Sequence, residues 1–274
     1  MVALAIGIGF CVPVVMLEIF FQILPVSGDE KTQPVNAVNP YIHLEPDRDV
    51  TWSIGWNFHI VANKHVNNYG YTSDYDYTRN DQRPNLAVIG DSFVQAIQVE
   101  NRQTMHGVLS ERIAKQGSVY GIGIGGAPLS QYLAFARLAS QEFAMDALTF
   151  VIIANDFDES LLKYKRAPGF HYFIENEGGC CELQRIDWSG KSLMGKIANY
   201  SAFTRYLLTN VGIDRSKINW IWKGRKSIAN TKFVGNVAAQ VEEERLEDSM
   251  LSVDEFFRRL PEYSHLKTDK IQFV

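Results

Sequence analysis

Cysteine is scarce in this chain. Only three occur in 274 residues, and two of them, Cys180 and Cys181, are neighbours in EGGCCEL. Neither the count nor the spacing describes a disulfide framework or a four-ligand zinc site. The pair reads as two thiols in a surface excursion, the alternatives being a vicinal disulfide or pairing with another chain in an oxidising compartment. Basic charge is not in excess either. The formal net charge is -4 and the pI near 5.9, and no basic stripe is present, which excludes a general nucleic-acid binder. No internal repeat or low-complexity tract breaks the pattern, and the ordinary apolar and charged fractions predict one main domain with a large core.

Lysine and arginine are missing altogether from Val2 to Val26, where Glu18 and Gln22 are the strongly polar side chains. A helix over this run would reach roughly 37 Å, against a hydrocarbon core of about 30 Å. Glu18 would cost about 3 kcal/mol at the bilayer centre, and each Leu, Ile, Val or Phe would return about 0.3 to 0.6. The expectation is therefore an uncleaved transmembrane helix over residues 1–26. A cleaved signal peptide fits less well, because a positive n-region is lacking and PVSGDE is a poor cleavage site. Phe10 before Cys11 is too bulky for a lipoprotein signal.

Residues 27–84 are rich in Asn, Asp, Tyr and Pro and read as a tether and edge segment, with one alternating piece in WNFHIVANKHV and a solvated, turn-like stretch in NNYGYTSDYDYTRND. From Asn85 the pattern alternates. NLAVIG, SVYGIGI and ALTFVIIAND read as strands. Between them, RQTMHGVLSERIAKQG places Met105, Val108, Leu109 and Ile113 on one helical stripe, and PLSQYLAFARLASQEF does so for Leu129, Tyr132, Leu133, Ala136 and Phe143. Strands joined by single helices need parallel crossovers. The predicted fold over 85–274 is thus a three-layer α/β/α, flavodoxin-like parallel sheet, with functional residues at the strands' carboxyl ends.

Three polar or glycine-rich turns fall at that edge: Asp91 and Ser92, the glycines after Val119, and Asn155 and Asp156. A serine on a tight strand-to-helix turn, a glycine that lets a backbone N–H approach, and an asparagine amide are the parts needed to hold an oxyanion while a hydroxyl attacks a carbonyl.

VIGDSF resembles block I of the SGNH, or GDSL-type, hydrolases, YGIGIGGAPLSQYL resembles block II, and VIIANDFDES is similar to block III. The resemblance implies Ser92 as nucleophile, with Gly126 and Asn155 as oxyanion donors, and needs no metal or organic cofactor. It implies an esterase or O-acyltransferase acting on an ester-bearing small molecule, lipid or envelope carbohydrate. By the same resemblance the protein would be a bacterial inner-membrane, single-pass protein with its catalytic domain in the periplasm. Ala154 stands where many members carry Gly. The family's Asp-x-x-His block, which supplies the base, has no match in this chain. His265, three residues after Glu262, is the nearest substitute; His43, His59, His65, His106 and His171 are expected in surface or packing roles. DKIQFV reads as a strand at the end of the chain, after a helix with Val253, Phe256, Phe257 and Leu260 facing the core, so the expectation is a C-terminally incomplete domain. A catalytically inactive envelope protein that binds a glycan or partner is the other reading.

Residues 157–250 read as an insertion-like region, with Trp220 and Trp222 beside Lys223, Arg225 and Lys226 as a helix end or an interfacial patch. Gly121, Gly123 and Gly126 also satisfy the dinucleotide pattern G-x-G-x-x-G. That rival requires an acid closing the following strand and leaves Ser92 without a role.

Overall fold

The computed structural model describes residues 2–28, 30–79, 84–113, 116–176, 181–213 and 243–274; Cys180 and the Trp220–Lys226 cluster lie outside them. In chain order the elements are α1 (Val2–Gln22), β1 (Arg48–Ile54), β2 (Ile60–Val66), β3 (Asn85–Gly90), α2 (Ser92–Gln95), α3 (Met105–Ile113), β4 (Ser118–Gly123), α4 (Leu129–Phe143), β5 (Ala147–Phe150) and α5 (Asn155–Asp158). The hairpin strands β6 (His171–Glu175) and β7 (Cys181–Arg185) follow, then α6 (Leu193–Tyr200), α7 (Ala202–Arg205), a long α8 (Glu243–Ser264) and β8 (Ile271–Phe273). The chain divides into two compact units. One draws on Met1–Glu30, Asp49–Lys64 and Lys191–Phe233, the other on Lys31–Arg48, His65–Gly190 and Val234–Val274.

The first unit overturns the expected transmembrane helix. No helix among the described residues is long and apolar enough to cross a membrane. The physical reason lies in the second half of α1. Pro13 interrupts its donor ladder, and its last turns pack on α7. Phe21 is buried with Val26 and Ala202 against Phe203, Tyr206 and Phe58. Glu18, counted above as a cost in lipid, instead receives the Ser201 hydroxyl (2.7 Å) and the backbone N–H groups of Ala202 (2.8 Å) and Phe203 (3.2 Å). A carboxylate at a helix N-terminus meets unpaired donors and a favourable dipole. Burial works to raise the Glu18 pKa, but these bonds outweigh it and bring it down to about 2.

The second unit holds a four-stranded parallel sheet in the order β4-β3-β5-β8. The register sets Gly90 beside Gly123, so the ends of β3 and β4 are level. One face is covered by α2 and α3: Val88, Val94 and Val119 pack with Leu86, Leu109 and Ile113. Met105, expected on that stripe, points outward, and His106 is the buried residue of the first turn, its Nε2 2.9 Å from the Thr72 carbonyl.

The other face is covered by α4 and α8, where Phe150 stacks on Tyr132 and meets Phe256 edge-on. Each such fully buried aromatic contributes roughly 1.5–3 kcal/mol. On α8, Phe256 and Leu260 face the core as expected, while Phe257 is half exposed against Phe273 of β8. Glu255 takes the inward position instead, paired with Arg258 and Arg259.

The tyrosine-rich stretch is solvated on one side only, with Asn68, Asp74 and Asp76 exposed. Tyr71 and Tyr77 are buried, and the Tyr77 hydroxyl donates to the Gly121 carbonyl (2.9 Å) while accepting from the Gly121 N–H (2.8 Å). Tyr75 donates to the Val119 carbonyl in the same way. The outer edge of β4 is thereby paired by side chains rather than by another strand.

Candidate active site

The β3 strand is buried up to Gly90, and the turn that follows is tight because α2 begins two residues later. A β-carbon on Gly90 would lie 2.5 Å from Val94 Cγ2, and one on Gly123 2.7 Å from Val94 Cβ. Both glycines are therefore demanded by the approach of α2 to the sheet. Gly121 is likewise filled, since a β-carbon there would meet the His106 ring at 2.6 Å. Two of the glycines that make up the dinucleotide pattern thus have a packing cause.

Asp91 caps the single turn of α2: its Oδ1 accepts the Phe93 N–H (2.9 Å) and its Oδ2 accepts the Ser92 hydroxyl (3.2 Å). Asp91 is buried and Ser92 exposed. The turn after β4 folds over this position, and Gln95 ties it down by accepting the Gly125 N–H at 2.8 Å. A β-carbon on Gly125 would sit 3.7 Å from Ser92 Cβ. Gly126 adopts φ +79°, the left-handed region that disfavours any side chain. Its carbonyl accepts from Lys165 Nζ at 2.9 Å, and the same ammonium reaches Glu159 Oε2 at 2.5 Å. Glu159 Oε2 also accepts from Asn155 Nδ2 at 3.4 Å. A hydrogen-bonded path therefore runs from the Gly126 carbonyl through Lys165 and Glu159 to Asn155, and the Gly125 turn packs against Ser92.

Beneath Asn155 lies Asp156, fully buried, which accepts the Ile153 N–H (2.9 Å) and the Tyr132 hydroxyl (2.8 Å) through Oδ2. Its Oδ1 has no hydrogen-bond partner among the described residues. Burial first, then the neighbouring carboxylates of Asp91 and Glu159, push its pKa up to about 7.

All three candidate residues, Ser92, Gly126 and Asn155, sit at the carboxyl edge of the sheet in the turns after β3, β4 and β5. Among the described residues, none of the six histidines bonds the Ser92 hydroxyl, which donates to Asp91. His265 is exposed, at φ +54° just beyond the end of α8. Gln95, Glu159 and Lys165 join the site without a sequence motif that marks them. Glu159, four residues after Asn155 in a helical turn, was the one with a readable signal.

Among the described residues, no group of three His, Cys, Asp or Glu side chains is arranged to hold a metal ion. The fold and the edge site define an α/β protein with a parallel sheet and a polar, glycine-lined turn cluster at its switch point. No family model matches the chain, and no curated protein matches it.

Proposed function

We propose that the Ser92 edge is an acyl-transfer site of the SGNH type, in which Ser92 attacks an ester of a small molecule, lipid or carbohydrate. The observation that carries this is the placement of Ser92 on a capped strand-to-helix turn directly beneath the Gly125–Gly126 turn, with Asn155 on the third strand end. In the step, the Ser92 oxygen adds to the ester carbonyl while its proton leaves to a base. The carbonyl electrons move onto oxygen, and that charge is held by the backbone N–H groups of Ser92 and Gly126 and by the Asn155 amide turned from Glu159. Collapse expels the alcohol, and water or an acceptor hydroxyl then releases the acyl group. Lys165, bonded to the Gly126 carbonyl and paired with Glu159, holds the glycine turn in place.

The group placed to receive the Ser92 proton is Asp91. A carboxylate is a weaker base than an imidazole at neutral pH, so slow turnover is expected of these residues alone. The same observation favours a second reading, a catalytically inactive protein that uses the edge to bind a glycan or partner.

Fluorophosphonate labelling of the chain, beside Ser92→Ala, separates the two. Labelling that disappears in Ser92→Ala supports the acyl-transfer site; a folded chain that takes no label moves the assignment to the binding protein. With an activated acetate ester as substrate, Asn155→Ala is expected to lower turnover about 10²-fold with the fold kept, and near-wild-type turnover would remove Asn155 from the site.

A further inference from the structure

A second site lies on the outer side of α4, away from the Ser92 edge. Arg137 is eight residues down that helix from Leu129, which places it about 12 Å along the axis from the end nearest the glycine turn. There, Arg137, Arg185, His171, Tyr41 and Tyr263 line a cavity of about 400 Å³, a size that holds a small organic ligand. Among the described residues its lining contains two guanidinium groups and no carboxylate.

Arg137 lies over the Tyr263 ring, 3.9 Å from its centroid, and has no carboxylate partner among the described residues. Arg185 is paired through Nε with Asp187, which is largely exposed, and that bond uses one of its five donors. Such forks are matched to a carboxylate or phosphate.

His171 adds a requirement of its own. Gln131 Oε1 accepts the His171 backbone N–H at 2.9 Å, and since an N–H only donates, that amide atom is the oxygen. The same oxygen is 2.9 Å from His171 Nδ1, so Nδ1 carries the ring proton. Nε2, on the opposite side of the ring, is then a bare lone pair, and burial followed by the charges of Arg185 and Arg137 holds the ring neutral, with its pKa down at about 4. A neutral acceptor between two cations does not suit a bare anion. It suits an anion that also brings a hydroxyl.

We infer that this cavity binds a small hydroxylated organic anion, its carboxylate or phosphate held by Arg137 and Arg185 and a hydroxyl donated to His171 Nε2. Tyr41 and Tyr263 would flank a sugar-sized body.

The test is calorimetric titration of the full chain with D-glucuronate, D-glucose 6-phosphate and D-glucose, in the wild type and in Arg137→Gln, Arg185→Gln, His171→Phe and Ser92→Ala, each checked for fold by circular dichroism. Binding of either anion, at least tenfold tighter than glucose, lost in folded Arg137→Gln or Arg185→Gln and weakened in His171→Phe, is the expected result; which of the two binds identifies the acid group. Ser92→Ala is expected to bind as the wild type does, so this outcome is independent of whether Ser92 transfers acyl groups. No binding of either anion at 20 mM, equal binding of glucose, or binding that survives both arginine variants would overturn the assignment.

Discussion

Asp156 carries the sharpest consequence at the residue scale. Its carboxyl is fully buried and shares the sheet edge with Asp91 and Glu159, so the folded state favours its protonated form up to about pH 7. A folded pKa raised above that of the unfolded chain means that the fold binds the proton more tightly. The stabilisation is complete at low pH and is lost as pH rises from about 4 to about 7. Asp156→Asn keeps an oxygen for Ile153 and Tyr132 and removes the charge. It is expected to leave stability at pH 4 nearly unchanged and to raise it at pH 8, by up to roughly 4 kcal/mol. Denaturant melts at the two pH values check this, and an equal effect at both would show that the carboxyl does not titrate in this range. Nothing in the sequence separates Asp156 from Asp158 two residues on. Both are buried, but Asp158 is met by Arg245 of α8, a residue far along the chain.

At the scale of elements, the β4 edge is where sequence and structure part most clearly. The strand was legible: SVYGIGI gives β4, NLAVIG gives β3 residue for residue, and DKIQFV contains β8. Periodicity reports that a segment is buried and says little about what buries it. The polar composition of NNYGYTSDYDYTRND argued for solvent, yet tyrosine is amphipathic, and here the rings enter the core against Tyr120 and Phe143 while the hydroxyls pair the strand edge. Tyr77→Phe keeps the ring and leaves the Gly121 N–H and carbonyl without that partner. A loss of about 1–3 kcal/mol is expected, read as a lower urea midpoint at unchanged slope; an unchanged midpoint would mean that water replaces the hydroxyl. The run from Val2 to Val26 is the opposite case. Its apolar content was plain, but the use of Glu18 as a cap for α7 depends on residues more than 180 positions away, which no local pattern shows. The candidate site was legible as three turns and a serine, because glycine and polar residues at strand ends are a local signal. Lys165, which joins two of those turns, lies in an irregular excursion and left no such trace.

For the molecule as a whole, one carboxyl in each of the two units responds to acid in the opposite sense. Glu18 has a folded pKa near 2, below its ordinary value of 4.5. Its contribution to the first unit is present above about pH 4.5 and fades as pH falls toward 2, over a range in which the protonated Asp156 favours the second unit. Amide hydrogen exchange at Ala202 and Phe203 reads this directly. Protection factors are expected to fall between pH 4.5 and 2 in the wild type and to be low throughout in Glu18→Ala, which removes the acceptor oxygens, while the amides of β3 stay protected; protection that does not change with pH would mean that Glu18 is not what holds those amides. The tyrosine hydroxyls on β4 matter beyond the stability of one chain. An unpaired strand edge is a template on which another chain can add a strand, and blocking it with side chains is a means of keeping sheets from joining. With the Val119 carbonyl and both backbone groups of Gly121 already bonded, this side of the sheet offers an incoming strand only a broken ladder, so the protein is guarded there against edge-to-edge aggregation at high concentration.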